Sequence, residues 1–204
     1  MFSFSKSQKI DFLRMALTLF AITAVVGVLL AVVHHYTEPV VERSAEERLE
    51  LSLRELISDA EYFEEVEEFE KSVTLGNVSV PVQAVYSAKG SEDQSLGYCV
   101  RVAPKGYSDI IDLLVAIDQD GAVKSVQILS ISDTPGIGMK VESNETFQSS
   151  MYGLTDSAKI VKTTPTVKEE IQVIAGATVS SAAYINGVNA AIEVVQMLRL
   201  EVQK

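Results

Sequence analysis

From Met15 to Val33 the chain reads MALTLFAITAVVGVLLAVV, nineteen residues without a charge. At about 1.5 Å of rise per residue, a helix of that length spans roughly the 30 Å hydrocarbon core of a bilayer. A helix also satisfies its own backbone hydrogen bonds, which lipid cannot do for it. Thr18 and Thr23 are the only polar side chains in the run, and a threonine hydroxyl can bond a carbonyl of its own helix. The preceding MFSFSKSQKIDFLR is basic, as in a signal peptide. The apolar run, however, is longer than a usual signal core, and His34-His35-Tyr36 follows where a small-x-small cleavage site would stand. The expectation is a retained single-pass anchor over residues 15–35. Lys6, Lys9 and Arg14 lie before it, and acids outnumber bases from Glu38 onward. The positive-inside rule then places residues 1–14 in the cytoplasm and the rest outside, on the periplasmic side of the cell (inner) membrane.

Charge narrows the function. Seventeen Lys and Arg stand against 28 Asp and Glu, a formal net charge of −11, and no basic stripe exists to neutralise phosphates. Nucleic acid is not an expected partner. Cys99 is the single cysteine, so this chain alone builds no disulfide framework, Cys-ligated cluster or zinc site. Cys99 is expected as a small, half-buried strand residue. His34 and His35 fall at the membrane boundary as interfacial polar residues, and no metal site is expected.

Beyond Pro39, Leu49, Leu53, Leu56, Ile57 and Ala60 recur at helical spacing among charges. This predicts an amphipathic helical linker over residues 36–71, with the acidic run Glu61–Glu70 as a solvated face. Strand signals follow at Ser79–Ser87, Tyr98–Ala103, Asp112–Ile117 and Ala122–Ser130, with Asp118-Gln119-Asp120-Gly121 as a hairpin turn. Such a succession predicts an antiparallel meander. Asp133-Thr134-Pro135-Gly136 reads as a turn. A helix is expected near Lys140–Asn144, with Phe147 and Met151 facing inward. Ile160-Val161 and Glu170–Ile174 are short extended runs. A last helix over about Ser180–Glu201 carries the stripe Ile185, Val188, Ile192, Val195. The fold class is therefore α+β: an antiparallel meander sheet packed with helices, over residues 72–204, preceded by one transmembrane helix.

The stretch AGATVSS, Ala175–Ser181, sits at the start of that last helix. The first N–H groups of a helix lack intrahelical partners and the dipole is positive there, so a phosphate binds well. Gly176 and Ala177 leave the backbone open to a ligand. The same residues also fit an ordinary capped helix, since Ser and Thr are preferred caps. Local physics leaves both readings open. No G-x-S-x-G nucleophile elbow and no G-x-x-x-x-G-K-[ST] phosphate loop is present.

AGATVSS resembles the [ST]-G-A-T-x-[ST]-S element of the FMN-binding domain family. Gly106–Val141, GYSDIIDLLVAIDQDGAVKSVQILSISDTPGIGMKV, resembles the G subunit of the Rnf electron-transport complex, with its G-Y-x-G run followed by E-T-P-G-L-G. The C subunit of the sodium-translocating NADH:quinone reductase is a near relative of that subgroup. The resemblance runs in order along nearly the whole chain and includes the single N-terminal membrane helix. It implies FMN joined to the hydroxyl of Thr178 by a phosphoester, made from FAD and Mg²⁺ by a flavin transferase. Two positions depart from the usual D-x-x-[ST]-G-A-T, with Gln172 at the Asp position and Ala175 at the Ser/Thr position. The subgroup's glycine after Tyr107 is also replaced.

On that resemblance the phosphate end of FMN meets Gly176, Ala177, Thr178, Val179, Ser180 and Ser181. Gly136, Ile137 and Gly138 are expected to form one wall for the flavin ring, with Thr134 and Pro135 holding that loop, although locally they also make a plain turn. Tyr107 packs beside the pocket or in the core. No paired carboxylates or histidine relay stand out, so no catalytic residue is expected, and the chain reads as a redox subunit that is incomplete as an enzyme alone. The implied partners are the membrane and iron–sulfur subunits of the complex and the flavin transferase. The implied role is electron flow between ferredoxin and NAD coupled to Na⁺ or H⁺ movement. Two other readings compete: a tethered binding or sensing domain in which AGATVSS is only a helix cap, and a flavin subunit of another extracytoplasmic redox chain.

Overall fold

Four consecutive β-prone segments each hydrogen-bond to the next. In the computed structural model, which describes residues 6–134, 136 and 138–202, they are β3 (Val78–Lys89), β4 (Ser95–Val102), β5 (Ile111–Asp118) and β6 (Val123–Ile131). All three pairings are antiparallel, which gives the expected meander. At the β5–β6 turn the Asp118 carboxylate accepts the N–H of Asp120 and of Ala122, both at 2.9 Å. Gly121 there takes φ +89°, a conformation few other residues tolerate.

The chain divides into two units, residues 1–47 and 48–204. The first carries most of α1 (Lys6–Leu56). Its most apolar 18 residues have a mean hydropathy of 2.7 and none is buried, so α1 is long and apolar enough to cross a membrane. Thr18 donates to the Arg14 carbonyl at 2.6 Å and Thr23 to the Leu19 carbonyl at 3.0 Å, so both hydroxyls are satisfied within the helix.

In the second unit the expected linker helix stops early. The α1 helix ends at Leu56, and β1 (Tyr62–Glu65) pairs with β3, as does β2 (Ser72–Leu75). Phe63 packs inward while Tyr62, Glu64 and Glu65 stay exposed. This is strand alternation, and the acids blunt a sheet edge. The last turns of α1 cover one face of the sheet: Leu53, Leu56 and Ile57 form a cluster with Ala88, Cys99, Leu114 and Ala116. Cys99 is fully buried rather than half-buried. Burial pushes its thiol up to about 12, with Lys124 opposing weakly, so it is inert at neutral pH.

The other face is covered by α4 (Thr178–Val202). Ile185, Val188, Ile192 and Val195 join Val100, Val102, Leu113, Val115 and Ile117 in the main core. Strand β5 is thus buried on both faces, which explains its unbroken apolar run. Along the chain from β6 to α4 come two short helices, α2 (Lys140–Ser143) and α3 (Glu145–Ser149), and a parallel pair, β7 (Lys159–Val161) with β8 (Glu170–Gln172). Asn144 caps α3 by accepting the Phe147 N–H at 2.9 Å. Phe147 meets Tyr184 of α4, ring centroids 5.3 Å apart, and Met151 is buried as expected. Asn189 of α4 braces the start of β7 by bonding both backbone groups of Ala158, at 2.7 and 3.0 Å.

Candidate functional site

The final helix begins about two turns before the Ile185 stripe that anchors it. The Ser181 N–H donates to the Ala177 carbonyl at 2.8 Å, so Ala177 occupies the cap position and Thr178 is the first helical residue. The three hydroxyls of AGATVSS therefore have three fates. Ser181 is fully buried and accepts the Ile174 N–H at 3.1 Å, which fixes the loop leading into the helix. Ser180, 1% exposed, donates to the Asp133 carboxylate at 2.5 Å. Thr178 is exposed, and among the described residues its hydroxyl has no hydrogen-bond partner. Thr178 thus caps no N–H among the described residues.

Asp133 is the hub that sequence reading passed over as a turn residue. It is 3% exposed and accepts from the N–H of Tyr107 (3.1 Å), Ser108 (2.9 Å) and Thr134 (3.0 Å) as well as from Ser180. Burial disfavours the charged form. The Ser180 hydroxyl and the three backbone donors outweigh it and hold the carboxyl below the usual range. Two glycines make room for this carboxylate. A Cβ on Gly106 would stand 3.0 Å from an Asp133 oxygen, and one on Gly138 would collide with the carboxyl group. Gly138 is thus needed for packing on Asp133, beyond any part it has in a ring slot. Gly136, at φ +73°, is exposed with open space around it. Pro135 and Ile137 lie outside the described residues. Thr134 is half-buried and shares a hydrogen bond of 3.0 Å with Ser108. Tyr107 packs in neither pocket nor core, since it is 61% exposed and contributes its backbone N–H.

On the other side of Thr178 a cavity of about 750 Å³ opens. Thr178 and Ala175 line it together with α3, β8, Lys162 and Pro165. Gln172 lies on its wall and Ala175 beside Thr178, so both departures from the motif are lining residues. Of the described residues in the 134–138 loop, Thr134, Gly136 and Gly138 are not among those lining this cavity; Asp133, just before them, bonds Ser180 of α4. The cavity was legible in the sequence only at Thr178, because α3, Lys162 and β8 converge on it from three separate segments. Among the described residues no cluster of His, Cys, Asp and Glu is arranged to hold a metal. An open hydroxyl at a helix start, beside a cavity within the roughly 300–1,000 Å³ range of ligand sites, suits a phosphate-bearing cofactor.

The comparisons with known proteins bear on the same residues. The chain matches the FMN-binding domain family over residues 106–193. That segment runs from the Gly106 turn through Asp133 into the middle of α4. A protein of this class carries a domain for FMN. Over 191 residues the chain is 30% identical to the G subunit of the Na(+)-translocating ferredoxin:NAD(+) oxidoreductase complex of Acetobacterium woodii, covering 91% of this chain and 92% of the relative. It is 29% identical over 168 residues to the G subunit of the proton-translocating ferredoxin:NAD(+) oxidoreductase complex of Clostridium ljungdahlii, covering 82% of each. The structure of Shewanella oneidensis NqrC is a more distant likeness, with a TM-score of 0.45 and 15% identity over 71% of this chain and 73% of that one. The chain belongs to the family of G subunits of ion-translocating ferredoxin:NAD oxidoreductase complexes, the Rnf type.

Proposed function

We propose that this protein is a membrane-anchored electron carrier of an Rnf-type complex, with FMN held covalently on Thr178. One observation carries the covalent reading: of the three hydroxyls at the start of α4, only Thr178 is exposed and unengaged, and it lines the cavity. Attachment is a phosphoryl transfer from FAD. The Thr178 Oγ1–P bond forms on the flavin-side phosphorus, and the bond from that phosphorus to the bridging oxygen breaks. AMP leaves, and the hydroxyl proton passes to a base of the flavin transferase or to solvent. Bound FMN supplies one- and two-electron chemistry. The chain's own part is attachment, orientation and exclusion of water. Thr178, Val179 and Ser180, the first three residues of α4, offer backbone N–H groups to the phosphate. Thr134, Gly136 and Gly138 flank the site on the Asp133 side, and the cavity residues flank it on the other.

The membrane helix keeps the domain beside its partners, with residues 1–14 cytoplasmic and the domain outside. Those partners are the membrane and iron–sulfur subunits that deliver and remove electrons between ferredoxin and NAD, and the flow drives Na⁺ or H⁺ across the membrane. Co-expression of the full chain with a flavin transferase tests the reading. The denatured protein is expected to fluoresce in a gel under UV, and Thr178→Val to be dark. A dark wild-type band under those conditions would refute covalent attachment. Co-purification with iron–sulfur and integral-membrane subunits separates this complex from another extracytoplasmic redox chain.

A further inference from the structure

Resting on the reading that Thr178 takes FMN, we infer that Lys140 is the cation that pairs with the phosphoryl oxygens as the group passes to Thr178. Its ammonium lies beside the loop that leads into Thr178. Nζ donates to the Ala175 carbonyl at 3.4 Å, a long bond, and stands 3.3 Å from where a Cβ on Gly176 would be. Gly176 has φ +79° and no side chain, and a larger residue there would crowd the ammonium. Among the described residues no carboxylate lies within ion-pair distance of Nζ, in a chain with a net charge of −11. Among the described residues its one hydrogen bond is long and goes to an uncharged carbonyl. A phosphoryl oxygen is a better acceptor for an ammonium than a peptide carbonyl is.

The position of Lys140 is fixed by the same carboxylate that fixes α4. Lys140 opens α2 two residues after Gly138, which packs on Asp133, and Asp133 holds Ser180, two residues after Thr178. Acceptor hydroxyl and cation are thus tied to one buried group. As the Thr178 oxygen bonds to phosphorus and AMP departs, negative charge gathers on the non-bridging oxygens. Lys140 trades its bond to Ala175 for one of them, and the α4 N–H groups take the others. The cavity lysine, Lys162, is the competing candidate.

The test uses the full chain in detergent with purified flavin transferase, FAD and Mg²⁺, and follows adduct formation by intact mass. Lys140→Gln is expected to lower kcat about tenfold, the size of one charge-assisted contact, with the KM for the carrier chain within about twofold. Lys140→Arg restores most of the rate. High salt narrows the gap between wild type and Lys140→Gln. The unfolding temperatures of these variants stay together, and Lys124→Gln on β6 matches wild type. A change confined to KM would assign Lys140 to docking the transferase and overturn the inference. A loss in Lys162→Gln with Lys140→Gln at the wild-type rate would overturn it as well. A wild-type chain that gains no flavin would instead sink the parent reading, before any variant is compared.

Discussion

At Asp133 one side chain decides how the site holds together. Its carboxylate accepts four donors from three segments of chain, residues 107–108, 134 and 180. Asp133→Asn turns an amide N–H toward donors that need an acceptor. It is expected to cost about 1–3 kcal/mol, read from denaturant midpoints. Because the folded-state pKa is depressed, the stabilisation is complete above the ordinary carboxylate pKa of about 3.9. It is lost as pH falls through the lower folded value. The wild type is therefore expected to lose stability below about pH 4, and Asp133→Asn to show a flatter acid limb in the same melts. Equal slopes would mean that the carboxylate is not held as described. Gly138→Ala should destabilise comparably, by driving a methyl into the same carboxyl group. Sequence reading found Thr178 because its motif is contiguous. It missed Asp133 because the Ser180 partner is 47 residues away, and a D-T-P-G stretch looks like any turn.

Among the elements, those with a strong period were legible and those defined by partners were not. The meander and α4 announce themselves through alternation and through the Ile185–Val195 stripe. Truncating that stripe with Ile192→Ala, at a residue 1% exposed, is expected to cost about 2–5 kcal/mol in denaturant unfolding. Strand β1 hid in an acidic run with helical spacing, and only pairing with β3 reveals it. The parallel partnership of β7 and β8 is invisible locally, since three-residue strands carry no periodic signal. The end of α1 belongs to the second unit through Leu53, Leu56 and Ile57, which shield Cys99. A fragment of residues 48–204 should therefore melt higher than one of residues 58–204. Its Cys99 should resist a thiol reagent that modifies the shorter fragment. Equal reactivity in both would place Cys99 outside that cluster.

Taken whole, the molecule is an apolar helix followed by an acidic α+β domain, and the site proposed for its cofactor is at the start of α4. The domain contributes rigidity: the main apolar cluster seats α4, which presents Thr178, on one face of the sheet, and a second cluster covers the other face. Everything proposed for electron transfer follows from that presentation, because a carrier without its own proton relay depends on where its cofactor is fixed. The direct measurement is fragmentation mass spectrometry of the full chain matured with a flavin transferase. The account predicts a gain of one FMN minus one water, localised to Thr178 and absent from Thr178→Val, with Ser180 and Ser181 unmodified. An adduct on either serine, or a chain without any adduct, would contradict it.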